Sequence, residues 1–267
     1  MKKVSYILLL SMVLCVACQF KLKPGDDEVQ APLMEVDRYD RLEYRYLTTG
    51  DFSALQEMNT EYPIETRTLI EDVLKLGTAT DPEINTKLLK FYQDTTLQTL
   101  LADVEVQYAS MDDLNHELNA AFLKLKRWLP NLTVPLVYAQ ISSLDESIVV
   151  GNQSVGISLD KYLGEDYPLY KRLYSEQQRR QMKRSMILPD ALSFYLISIY
   201  PLHDFETREQ WERDLHMGKI QWVVNQALER KVFNTKYVQS VDAYMKSNPK
   251  KSYEELLAMT DFSEFDL

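Results

Sequence analysis

The feature that most narrows the fold is a short β-type island set between two long helical stretches. Residues 133–141 read Thr-Val-Pro-Leu-Val-Tyr-Ala-Gln-Ile, and two further β-type runs follow at 147–150 and 155–159. Gly151-Asn152-Gln153-Ser154 between the last two has the composition of a hairpin turn. On either side, apolar residues recur at three and four residues, the spacing of a helix that buries one face. Residues 111–129 carry the strongest such stripe, Leu114, Leu118, Phe122, Leu125 and Leu129, and Pro130 ends it. Before it, helices are expected over 51–61, 64–76 and 95–108, with Pro63 dividing the first two. Another is expected to start at Asp81-Pro82 and run through Phe91, since a capping side chain followed by proline suits a first turn. After the island, helices are expected over 175–186, 188–200, 208–229, 235–248 and 253–259. The pattern fits one α+β domain over residues 34–267, mostly helical with a small central sheet of about three strands.

The first residues read as an export signal. Lys2 and Lys3 precede an apolar run over 4–16, too short to span a bilayer, which takes about 20 residues. It ends at Cys15-Val16-Ala17-Cys18, where small residues lead into a cysteine. This is the context of a lipoprotein signal peptide (1–17) cleaved before Cys18, whose thiol takes the lipid. Ala17 makes Cys18 a better site than Cys15, which follows Leu14. Lipidation with palmitate and diacylglycerol would hold the chain to a bacterial membrane, and two or more acyl chains suffice for stable anchoring. Residues 18–33 hold Pro24, Gly25, the acids Asp26, Asp27 and Glu28, and Pro32, a flexible tether that cannot build a core. Acids do not follow Cys18 directly, which favours the periplasmic side over the cell surface.

Charge removes one class of partner. The chain has 30 basic and 40 acidic residues, net −10, and repels phosphate backbones, so no nucleic acid is expected to bind. A local basic run over 171–184 reads as the solvated face of a helix or as a docking strip for an acidic partner or polymer. Catalytic motifs are missing. His116-Glu117 begins a zinc-peptidase string, but Ala120 stands where the second histidine would be. His203 and His216 have no second histidine at one-turn spacing. The seven glycines form no phosphate loop, and no nucleophile elbow is present. Neither a metal nor a cofactor is expected.

The most distinctive string is Gly156-Ile157-Ser158-Leu159-Asp160-Lys161-Tyr162-Leu163-Gly164-Glu165-Asp166-Tyr167-Pro168, with Tyr170 close behind. With Phe91-Tyr92-Gln93-Asp94, the helix ending in Trp-Leu-Pro, Ile187-Leu188-Pro189-Asp190 and Met217-Gly218-Lys219, it resembles the GldB gliding-motility lipoprotein family. The likeness covers residues 36–231. It implies a lipid-anchored envelope protein tied to gliding and its associated secretion machinery. The family in turn resembles zinc peptidases, which implies a zincin-like arrangement of sheet and helix. The helix that would carry the ligands is 188–200, and it has neither histidine nor glutamate. The resemblance therefore implies a peptidase scaffold without catalysis, a pseudoenzyme lacking both ligands and general base.

Two readings stay open. One is a non-enzymatic component that binds an envelope protein, peptide or polymer in the former cleft. The other is an envelope hydrolase with an unrecognised site. The candidate binding residues are Asp160, Tyr162, Asp166, Tyr167 and Tyr170 from the turn, and Lys219 and Trp222 from a later helix. Each has a structural alternative: Asp160 as the cap of the next turn, and the tyrosines as core with phenols reaching outward.

Overall fold

The computed structural model describes residues 34–266, so the expected signal peptide, Cys18 and the tether lie outside the described residues. The domain opens with a two-residue strand, β1 (Val36–Asp37), and a helix, α1 (Tyr39–Thr49), that the sequence pattern did not reveal. Asn115 and Asn119 of the long amphipathic helix fix this entry, their side-chain oxygens accepting the N–H groups of Val36 at 3.0 Å and Met34 at 2.6 Å. Helix α1 buries Tyr39, Leu42, Tyr46 and Leu47, and with them Asp40 and Glu43. It stops at Gly50, whose φ of 71° gives the left-handed residue that returns an N–H to Tyr46. Asp51 then caps α2 (Phe52–Thr60), accepting from the N–H groups of Ser53 and Ala54.

Next come α3 (Pro63–Thr68), which passes into one π-helical turn at Leu69–Val73, then α4 (Ile84–Phe91), α5 (Thr95–Gln107) and α6 (Asp112–Trp128). Helix α4 starts later than Asp81-Pro82 suggested, because the Asp81 carboxylate takes the Glu83 N–H and holds a turn ahead of the helix. The island forms β2 (Leu136–Gln140), β3 (Ile148–Gly151) and β4 (Ser154–Ser158). Gly151 pairs with Ser154 across a two-residue turn, where Gln153 adopts a φ of 61°. The sheet order is β1-β2-β4-β3: the first three strands are parallel, and β3 is an antiparallel edge.

Beyond the sheet lie α7 (Pro168–Leu173), α8 (Glu176–Arg179), α9 (Ile187–Ile199), α10 (Gln210–Ala227), α11 (Lys236–Ser247) and α12 (Tyr253–Ala258). Helix α9 packs across β3 and β4, and α10 packs on α6, α9, α11 and α12. Gly218 sets the distance between α10 and α11. A Cβ there would stand 2.8 Å from Tyr237 Cβ and 3.1 Å from its carbonyl carbon, so only glycine admits this approach. The helix expected over 175–186 is a single turn. The chain then extends, with Leu163 and Lys183 bridging and Gly164 N–H bonding Met182 O at 2.9 Å. The basic run is therefore not one helix face. Lys171 pairs with Asp166, Arg180 with Glu176 and Arg184 with Asp113. No helix among the described residues is long and apolar enough to cross a membrane.

Candidate functional site

The distinctive string runs off the C-terminal end of β4, next to the end of its parallel neighbour β2. Two buried carboxyl groups grip that neighbouring end. Glu43 accepts the Ile141 N–H at 2.8 Å, and Asp160 accepts the Ser142 N–H at 2.9 Å and also that of Leu144. Ser143 and Leu144 both sit in the left-handed region, at φ 57° and 67°, which is unfavourable for residues with a side chain. Asp160 is thus a latch on a strained loop, with both oxygens engaged. Burial pushes its carboxyl above the usual range, and the two backbone N–H groups pull it back. Burial pushes the Glu43 carboxyl well above the usual range, against the pull of the Ile141 N–H.

The tyrosines of the string fold inward. Tyr170 is fully buried; its hydroxyl donates to the Asp160 carbonyl and accepts the Leu163 N–H at 3.0 Å. The Tyr162 carbonyl takes the Tyr108 hydroxyl at 2.7 Å, and the Tyr162 hydroxyl donates to Asp190 of α9 at 2.9 Å. Burial raises Asp190 to about 6. Tyr167 is half-buried, set edge-on to Tyr170 at 4.9 Å and bonded to Asp103 at 2.7 Å. Asp166 points the other way, exposed and paired with Lys171 at 2.8 Å, which lowers its pKa. Among the described residues, no group of three or more His, Cys, Asp or Glu is placed to hold a metal ion.

Lys219 and Trp222 do not join this cluster as walls of a shared cleft. Both belong to α10, and the contacts of their side chains run to α11, α12 and the C-terminal segment. Lys219 is fully buried. Its ammonium donates to Met259 O at 2.6 Å and Leu257 O at 3.4 Å, and lies 4.8 Å from the centre of the Phe262 ring. Burial first, and the Arg208 charge second, lower it to about 7. One turn earlier, His216 is buried with Nε2 against Tyr200 O at 2.8 Å and Nδ1 unpartnered; burial lowers it to about 4.

Trp222 instead lines a cavity of about 520 Å³ between α6, α10, α11 and the residue 229–234 loop. Its indole N–H donates to Asp242 at 3.1 Å, and its ring leans on Tyr253 at 5.3 Å. Tyr253 also stacks flat on Trp128, at 4.4 Å and 8°. Asn225 shapes the mouth: its side chain bonds Val232 N–H, Phe233 N–H and Phe233 O, fixing the loop. Gln226, Asn234 and Gln239 add amides to the lining. Sequence reasoning singled out Trp222 but not Trp128, Tyr253, Asn225 or Gln239. Two of the chain's three tryptophans meet here, yet they lie on helices far apart in sequence, so no spacing rule links them.

Fold and cavity together define a compact α+β domain with a mixed sheet, a helical outer layer and a cleft of ligand size beside Trp222. The chain belongs to the family of the gliding motility protein GldB, whose model matches residues 22–237. The match takes in the sheet, the latch and α10, and ends at the start of α11, so Gln239, Asp242 and Tyr253 lie beyond it. No curated protein and no solved structure matches the chain.

Proposed function

We propose that this protein is a lipid-anchored envelope component of the gliding-motility apparatus, one that binds a partner and does not catalyse. The observation that carries the binding role is the cavity at Trp222, roomy enough for a ligand, at about 520 Å³. The turn at Asp160, by contrast, spends its polar groups internally. Both carboxylate oxygens of Asp160 hold backbone N–H groups, and the phenols of Tyr162, Tyr167 and Tyr170 each hold a protein acceptor. A general acid or base needs a proton-exchanging atom in reach of substrate. Asp190, the acid on α9, is committed to Tyr162.

The anchor follows from the leader and its Cys15-Val16-Ala17-Cys18 end together with the family relation. A lipid on Cys18 and a tether over 19–33 place the domain in the aqueous envelope, on the periplasmic side. Mass spectrometry of the native N-terminal peptide tests this: a diacylglyceryl-modified Cys18 is expected, and an unmodified, uncleaved start would overturn it.

The binding role is tested by placing a photo-crosslinking residue at Gln239, exposed on the cavity wall, in the full lipidated chain within its own envelope. A discrete adduct is expected, absent when the same group sits at exposed Glu83. Equal labelling at both positions would sink the reading. Stoichiometric zinc in the purified protein, accompanied by casein hydrolysis, would replace it with the hydrolase.

A further inference from the structure

We infer that the Trp128–Trp222 cavity is a saccharide subsite, one that takes a neutral or N-acetylated sugar unit of a glycan. The inference rests on the reading of this cavity as a binding site and names its ligand class.

Its chemistry narrows the ligand by what the walls offer. Trp128 is half-buried and held rigid by the parallel ring of Tyr253 at 4.4 Å, so one face is covered and the remaining indole surface lines the cavity. Trp222 is fixed a second way, by its N–H bond to Asp242. Rigid aromatic surface loses little entropy when a ligand packs on it. The weakly apolar C–H face of a pyranose suits such a surface.

The polar wall is equally selective. Most of its charges are already neutralised by neighbours: Lys124 by Glu229 at 2.9 Å, Arg230 by Glu117 at 3.1 Å and Asp242 by Lys246 at 2.6 Å. A strongly anionic or cationic ligand would have to break these pairs. The groups left to serve a ligand are mainly the amide of Gln226 and the outer atoms of the Asn234–Gln239 pair, in which Gln239 Nε2 donates to Asn234 Oδ1 at 3.2 Å and leaves Asn234 Nδ2 and Gln239 Oε1 for a ligand, with Lys231 exposed at the mouth. Amides donate and accept in one plane, which matches vicinal hydroxyls and N-acetyl groups. An acyl chain is disfavoured because most of the lining side chains are polar. A nucleic acid is disfavoured by the net charge of −10.

The test labels the unaltered sequence with 5-fluorotryptophan and titrates it with chitotetraose, cellotetraose and maltotetraose, followed by fluorine NMR. The chain has three tryptophans, and Trp211 packs on Phe262, away from the cavity, as an internal reference. Saturable shifts are expected at Trp128 and Trp222 with at least one of these sugars, and none at Trp211. Trp128→Ala and, separately, Gln226→Ala should weaken binding by roughly tenfold, the scale of one lost stacking or hydrogen-bond contact. Lack of any saturable shift with all three sugars, or equal movement of all three tryptophans, overturns the inference. A Gln239 crosslink to a protein without sugar binding would leave the binding role standing and remove the saccharide alone.

Discussion

The hydroxyl of Tyr162 donates to the Asp190 carboxylate across 2.9 Å, and that bond ties the exit of β4 to helix α9. Burial raises Asp190 to about 6, above the unfolded carboxylate value of roughly 3.9. The folded state therefore binds the proton more tightly than the unfolded chain. The stability from this group is fully present below the unfolded value and is lost as pH rises through about 6. Asp190→Asn, which stays neutral and can still accept from Tyr162, should flatten this dependence. The gain over the parent at neutral pH should be on the order of 2 kcal/mol. Urea unfolding across this pH window measures it, and parallel profiles for the two proteins would contradict the assignment.

Asp160→Asn should destabilise strongly. One carboxylate oxygen becomes an amide N–H₂ facing a backbone N–H, while Ser143 and Leu144 keep their unfavourable dihedrals. A loss of about 2–4 kcal/mol is expected, in line with removal of a buried charged acceptor. Thermal melts read it. A variant as stable as the parent would return Asp160 to the list of binding residues.

His216 and Lys219 give the opposite pH sign from Asp190. Both are basic groups with folded pKa values below their unfolded ones, at about 4 and about 7. The unfolded chain then binds more protons, and stability falls as pH drops through each window. For His216 that window is from about 6.5 down to about 4, and for Lys219 from about 10.4 down to about 7. His216→Gln should remove the acid-side slope, and Lys219→Met the alkaline-side slope. Lys219→Met should also loosen the C-terminal segment, because Met259 O loses its donor. Hydrogen exchange of the C-terminal residues 257–265 checks the second point.

Gly218→Ala should push α10 and α11 apart, since the new methyl would meet Tyr237 Cβ at 2.8 Å. Overpacking of this kind destabilises by about 1–3 kcal/mol. Because Trp222 and Val238 stand on the same two helices, the shape of the cavity should change with it. A red shift of tryptophan emission together with a lowered midpoint in urea is expected; an unchanged spectrum would mean that the helices absorb the methyl without moving.

The strong helices were legible where the apolar stripe was dense. Residues 111–129 match α6, 188–200 match α9 and 235–248 match α11 to within a residue or two. Helix α1 was not, because its buried face includes Asp40 and Glu43 and three of its apolar positions are tyrosines, which read equally as surface. The 175–186 expectation failed because helical propensity there is overridden by the bridge from Leu163 to Lys183 and by the grip of Arg184 on Asp113. The candidate residues were legible as unusual, but their roles were not.

Read as a string, the chain already disclosed the leader pattern, the net negative charge, the family and the alternation of helix, short sheet and helix. These are properties of local spacing and composition, which a linear string contains in full. Tertiary structure alone decided that Asp160 clasps Ser142 and Leu144 while Asp166, six residues on, faces water. It alone put Lys219 in the interior and brought Trp128 of α6 within one tyrosine's thickness of Trp222 of α10. Such roles depend on which groups become neighbours once water is excluded, and chain spacing says nothing of that.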